Sequence, residues 1–172
     1  MAADHVTDDS YQPASDFLKA VANDEAPLSG GEHGEANLRH LMTMTRDEDV
    51  SNRDWATMLL AQHGADTPEI RAALIHAATM DDNDVVRGEA ILGLAQRDRD
   101  LALPLVQAAL QASTICVPML EAAALCADPS LIADLRIWAE PSDDPHVDSW
   151  AADALAACEA ARDADSGEPV MA

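Results

Sequence analysis

The chain reads as all-α, and more narrowly as an α-solenoid of about four antiparallel helical hairpins. Three observations predict this. Nearly half of the residues are hydrophobic (48%), yet aromatics make up only 3%, so Ala and Leu carry the apolar content. Those two are strong helix formers, whereas strands draw on β-branched and aromatic residues. Apolar stretches alternate with short breakers from Glu35 to Ala161, at loop lengths suited to helical hairpins. The stretches also repeat one another, and a two-helix unit recurring every few tens of residues buries its apolar faces only by stacking on its neighbours.

Residues 1–33 are polar and contain Pro13, Pro27 and a Ser29-Gly30-Gly31 turn. They are expected to form a mobile acidic arm with one short helix over Asp16–Asn23, capped by Ser15 and carrying Phe17, Leu18 and Val21 on one side. The repeat domain is expected over 34–161, in units 35–64, 67–97, 98–127 and 129–161. Residues 162–172, with Gly167 and Pro169, are expected to fray.

The breakers place Asp, Ser, Thr or Pro where helices should begin: Asp47-Glu48-Asp49, Asp66-Thr67-Pro68, Asp81 to Asp84, Arg97 to Asp100, Ser113-Thr114, Asp128-Pro129 and Glu140 to Pro145. The repetition is clearest in the second helix of each unit. Arg53 to Gln62 aligns with Arg87 to Gln96 at a spacing of 34, with Arg, Ala, Leu, Ala and Gln identical. In the same register Leu60 and Leu94 are followed by Leu125 and Leu155, and Val86 by Val117 and Val147, with spacings of 31 and 30 in the later units. First helices repeat too, Leu74-Ile75-His76-Ala77-Ala78 against Leu105-Val106-Gln107-Ala108-Ala109.

The stretch Asp84-Val-Val-Arg-Gly-Glu-Ala-Ile-Leu-Gly-Leu-Ala95 resembles the second helix of HEAT-like repeats, in the short form first named from phycobilisome lyases. The resemblance is strongest at 82–96 and extends across 35–161; Pro118 and Asp148 stand where the repeat pattern has Arg. It implies an interaction scaffold whose second helices line a concave face. It also implies that Asp49, Arg53, Asp84 and Arg87 bond interhelical turns in a ladder. It does not imply lyase chemistry, because such repeats occur in proteins of unrelated function.

Candidate partner-binding residues follow from that frame. Arg53 and Arg87 sit just inside second helices, where they serve either the ladder or an acidic group of a ligand. Trp55, Glu89, Leu120 and Trp150 share one helical column, and Trp is enriched at binding hot spots, although large apolar side chains also pack inside. The candidates are therefore Arg53, Trp55, Arg87, Glu89 and Trp150.

Charge narrows the partners. There are 32 acidic and 10 basic residues, for a formal charge of −22, and Lys19 is the single lysine. Such a chain repels phosphate backbones and anionic membrane surfaces, so neither nucleic acid nor membrane is expected. A basic protein or peptide is its complement. Acidity alone also serves solubility or adaptation to salt.

No catalytic, metal or cofactor residues are expected. The six histidines form neither HxxxH nor HExxH, the acidic turns lack EF-hand spacing, and no phosphate loop or nucleophile elbow is present. Cys116, Cys126 and Cys158 form no CxxC pair, which fits packing residues in a reducing cytoplasm. The acidic N-terminus lacks the apolar stretch of a secretory signal.

The expected function is a non-catalytic protein-binding scaffold. The alternative is an acidic protein that neutralises a basic partner, of immunity or mimic type. An accessory role in holding a chromophore ranks last. Monomer and homodimer are both compatible with four stacked units, whose open ends need a cap.

Overall fold

In a computed structural model, the described residues, 11–166, form nine α-helices and one short 3-10 turn, with no strand among them. Residues 1–10 of the expected arm and 167–172 of the expected tail lie outside the described residues.

Helix α1 (Asp16–Ala22) starts as expected, with the Ser15 hydroxyl accepting from Leu18 N. It is not part of a loose arm, however. Leu18 is fully buried and Val21 nearly so. Ala14 N donates to Ser51 Oγ at 3.3 Å and Ser15 N to Asn52 Oδ1 at 2.8 Å, which ties the segment to α3 (Val50–Gln62). Leu18 and Val21, two of the apolar residues expected on one side of the helix, are its anchors, and two backbone donors beside it find partners far along the chain. Helix α2 (Gly31–Met44) begins four residues before the expected 35, straight out of the glycine turn, where Gly30 and Gly31 have φ of 87° and 72°. These are backbone shapes that L side chains rarely adopt.

The later helices are capped by the breaker residues. The Asp49 carboxylate accepts from Ser51 N and Asn52 N at the start of α3. Thr67 caps α4 (Pro68–Met80), with proline in the first turn. Asn83 caps α5 (Asp84–Arg97), and Asp98 caps α6 (Arg99–Leu110). Each cap satisfies amide groups that the first helical turn leaves without partners. Helix α7 (Val117–Cys126) is the exception. Its cap position is Cys116, whose side chain makes no capping hydrogen bond, and Thr114, expected to start it, hydrogen-bonds the Asp84 carboxylate instead. Asp128 accepts from Ser130 N in the 3-10 turn (Pro129–Leu131), which leads into α8 (Ile132–Trp138). Asp144 accepts from His146 N and Val147 N in the first turn of α9 (Pro145–Ser166). That helix continues beyond 162, where fraying was expected.

Packing brings consecutive helices together: α2 on α3, α4 on α5, α6 on α7 and α8 on α9. The second member of each pair also touches the next, α3 on α5, α5 on α7 and α7 on α9, while α1 rests on α3. One cluster of buried side chains runs through all of them, including Leu18, Leu60, Leu94, Leu120, Leu135 and Cys158. Helices α3 and α5 approach closely at Gly93, where a Cβ would stand 2.7 Å from Ala61 Cβ. Arg97 secures the same junction. Its guanidinium donates to the carbonyls of Leu60, Ala61, His63 and Ala65 at the C-terminal end of α3. Those carbonyls have no intrahelical partner, and they carry the negative end of the helix dipole.

The expected leucine column holds in the first two second helices and slips in the last two. Leu60 and Leu94 are fully buried, whereas Leu125 and Leu155 are partly exposed. In α9 the fully buried positions are Ala151, Ala154 and Cys158.

Candidate partner-binding groove

The exposed side of the row α3, α5, α7, α9 collects most of the candidates, and the turns take the rest. Arg53 is at a turn. Its guanidinium donates to both carboxylate oxygens of Asp81 at 2.7 and 3.2 Å, to Asp82 at 3.0 Å, and to the carbonyls of Asp47 and Glu48. Arg87 donates to the Asp81 carbonyl at 3.0 Å and to the Asp84 carboxylate. Both side chains therefore bond interhelical turns, and their fork-shaped donors are taken up by oxygens of this chain. The same bonds account for charge perturbation at the turn. Burial works to raise the Asp81 carboxyl, but the Arg53 guanidinium and the Asn83 amide outweigh it and hold it below the usual range.

Trp55 lies on α3 and Glu89 on α5, the helix packed against it. Trp55 is partly exposed, its indole Nε1 is buried, and that nitrogen has no hydrogen-bond partner among the described residues. Tyr11 stacks on it, with ring centroids 6.5 Å apart and planes at 24°. The Tyr11 hydroxyl donates to the Asp54 carboxylate. Burial and the neighbouring Asp54 charge push the Tyr11 phenol above its ordinary value.

Glu89 is the most perturbed carboxyl of this surface. Burial, then repulsion from Asp54 and Glu121, pushes it up to about 7. No hydrogen bond or ion pair reaches Glu89 or Glu121 among the described residues. Burial raises the Glu121 carboxyl as well. Desolvation disfavours the charged form of any carboxyl, and a like charge nearby adds to that.

Trp150 lines a separate stretch of the same surface. With Leu92, Gln96, Glu121, Ala124 and Leu125 it bounds an open hollow of about 350 Å³ between α5, α7 and α9. His146 meets the Trp150 ring edge-on at 6.3 Å. The column that sequence spacing assigned across Trp55, Glu89, Leu120 and Trp150 breaks in α7. Leu120 is fully buried, and Glu121 takes the outward position. Sequence reasoning therefore missed Asp54, Leu92, Gln96, Glu121 and Leu125. The available signal was Glu121 itself, a carboxylate one step beyond an apolar column residue in an otherwise apolar helix.

Among the described residues no group of three His, Cys, Asp or Glu side chains could hold a metal ion. The three thiols are free; burial pushes each up to about 11, so they stay protonated at neutral pH. No described helix is long and apolar enough to cross a membrane.

No protein-family model matches this chain. No curated protein matches it either. Among solved structures, the X-ray structure of YibA of E. coli is similar over 81% of this chain, with a TM-score of 0.54 and 22% sequence identity. The matched region is 54% of the YibA chain, so this protein spans about half of that structure. The likeness is one of fold.

Proposed function

We propose that this chain is a non-catalytic interaction scaffold: a HEAT-like α-solenoid of four helical hairpins that binds a protein or peptide along its row of second helices. Two packing features support the solenoid reading. The second helices pack on one another in succession, whereas α2 and α4, and α4 and α6, are not packed in that way, and a hollow of about 580 Å³ opens between α2 and α4. Tight contact along one row and gaps along the other curve a stack towards the tight row. The Arg53–Asp81 bond between successive interhelical turns accords with the ladder of such repeats.

The observation that carries the binding reading is the Trp150 hollow. A partly exposed tryptophan beside Leu92 and Leu125 makes an apolar floor with a polar rim, the anatomy of a recognition hot spot. The net charge of −22 supports a second reading, neutralisation of a basic partner by charge alone.

A pull-down from native extract with the full chain and its Trp150→Ala variant, at low and high salt, separates the two. Groove recognition expects a partner that survives high salt and is lost with Trp150→Ala. Neutralisation by charge expects a basic partner that washes off in salt and ignores the substitution. If neither pattern appears, both readings fall.

A further inference from the structure

Around the Trp150 hollow, the charged side chains on the exposed side of the second helices are of one sign. Glu121 lines the hollow and Glu89 lies on α5 next to it, and neither has a compensating cation. The arginines of α3 and α5 do not help. Arg53 and Arg87 are bonded to turn oxygens, and Arg97 is sunk in the carbonyls at the end of α3. Helix α7 has no basic residue at all. At the α3 end of the row the chain supplies its own occupant, since Tyr11 lies on Trp55 and hydrogen-bonds Asp54. The surface left open is the part across α5, α7 and α9: an apolar floor flanked by two carboxylates that burial makes costly to ionise alone.

Resting on the groove reading above, we propose that the occupant of this open stretch is a cationic amphipathic helix of a partner, which places Lys or Arg against Glu89 and Glu121 and apolar side chains on Leu92, Leu125 and Trp150. Charge complementarity selects the sign. A cation beside Glu89 offsets the burial and the like charges that hold its pKa up, about 7 in the free protein, by pairing the ionised form. Geometry selects the spacing. Glu89 and Glu121 stand on neighbouring packed helices, whose axes lie about 8–10 Å apart, so cations set at about that spacing would each have one helix's carboxylate beneath them. In an α-helix, residues i and i+7 are about 10.5 Å apart on one face, with i+3 and i+4 between them. Same-face residues of an extended strand fall at about 6.8 or 13.6 Å and fit less well.

The test is selection of a random linear peptide library displayed on phage against the full chain, followed by affinity measurements on the enriched peptides. Expected are sequences with Lys or Arg seven residues apart and apolar residues between. Their affinity should fall about tenfold for Glu121→Gln and for Gln96→Arg, which adds a cation at an exposed position of the hollow, and should tighten for Gln96→Glu. Asp143→Asn, in the exposed turn before α9, changes net charge by the same amount as Gln96→Arg and should cost less than twofold. Because Gln96 is exposed, these variants keep the test independent of whether Trp150→Ala folds.

Peptides that respond to Gln96 and Trp150 substitutions but show no cationic excess overturn this inference and leave the groove reading standing. Cationic peptides that bind Gln96→Arg and Glu121→Gln as tightly as wild type overturn it as well, by showing attraction to the whole surface. No peptide sensitive to any groove substitution overturns both readings.

Discussion

Arg53 and Asp81 lie 28 residues apart in sequence, yet the arginine fork grips both oxygens of the carboxylate, at 2.7 and 3.2 Å. Their side chains are 16% and 5% exposed. The pair joins the first turn of α3 to the turn before α5, so it fixes how those two helices sit on each other. Removing one member leaves the other charge buried and unpaired, which typically costs about 3–5 kcal/mol. Because Arg53 keeps some solvent and Asp81 keeps the Asn83 amide, Arg53→Ala is expected to cost about 2–3 kcal/mol in urea unfolding. The Arg53→Ala/Asp81→Ala double variant should cost clearly less than the sum of the singles. Additive losses would show that the two residues do not stabilise the junction as a pair. The Asp81 carboxyl is held below its ordinary value in the fold. Its contribution is therefore complete above the ordinary carboxylate range and is lost as pH falls through the lowered value.

Glu89 predicts the opposite pH trend. Its folded pKa, about 7, lies above its ordinary value of 4.5. Between those values the folded state holds a proton that the unfolded state releases, so stability falls as pH rises through this window. Glu89→Gln removes the titration. It should match wild type near pH 4 and exceed it at pH 8 by about 1–2 kcal/mol, partial solvation having screened part of the full effect. In a chain of this size that is a rise in Tm of about 3–6 °C. Thermal melts at the two pH values check it, and an equal difference at both would mean that the carboxyl does not titrate as the burial implies.

Gly93 sets the distance between α3 and α5. A Cβ there would stand 2.7 Å from Ala61 Cβ and 2.9 Å from Ala61 Cα, and the latter is backbone that cannot rotate aside. Ala is worth about 1 kcal/mol over Gly in a helix interior, while overpacking a tight core costs about 1–3 kcal/mol. The clash involves backbone, so the second effect wins, and Gly93→Ala should lose about 1–2 kcal/mol in chemical denaturation. Adding Ala61→Gly opens the space and should recover part of that loss. A Gly93→Ala variant more stable than wild type would mean that the helices part easily here.

Helix count and all-α class were legible because breaker chemistry is local: Ser15, Asp49, Thr67 and Asp98 each cap the helix that follows them. The candidate site was legible only as a set of residues: column spacing proposed Trp55, Glu89 and Trp150, but spacing assumes that every second helix starts alike. Helix α7 does not. It has no side-chain cap and begins at Val117, after Thr114 has turned to Asp84, and its register shifts so that Glu121 faces outward and Leu120 inward. Arg97 was unreadable for another reason. Its partners are backbone carbonyls over 30 residues away, and carbonyls leave no mark on sequence. The short helix and its apolar side, Leu18 and Val21, were legible, but the bonds of Ala14 N and Ser15 N to Ser51 and Asn52 were not, because backbone donors leave no mark on sequence.

That register shift can be tested in the core. Sequence spacing put Leu94 and Leu125 in one column, but Leu94 is fully buried and Leu125 is partly exposed at the groove. A buried Leu→Ala substitution typically costs about 2–5 kcal/mol, because the cavity adds to the lost transfer energy. Leu94→Ala, amid the contact of α5 with α3 and α7, should fall within that range. Leu125→Ala should cost clearly less, since part of its side chain already meets water in the unbound protein. The same substitution should weaken a groove-bound peptide, because Leu125 then loses its contact with the ligand instead of with the core. Paired urea titrations and peptide affinities give both readings. Equal stability losses at 94 and 125 would restore the simple column and remove Leu125 from the groove floor. A large loss at 94 with a small one at 125 would mean that the repeat changes register between its second and third units.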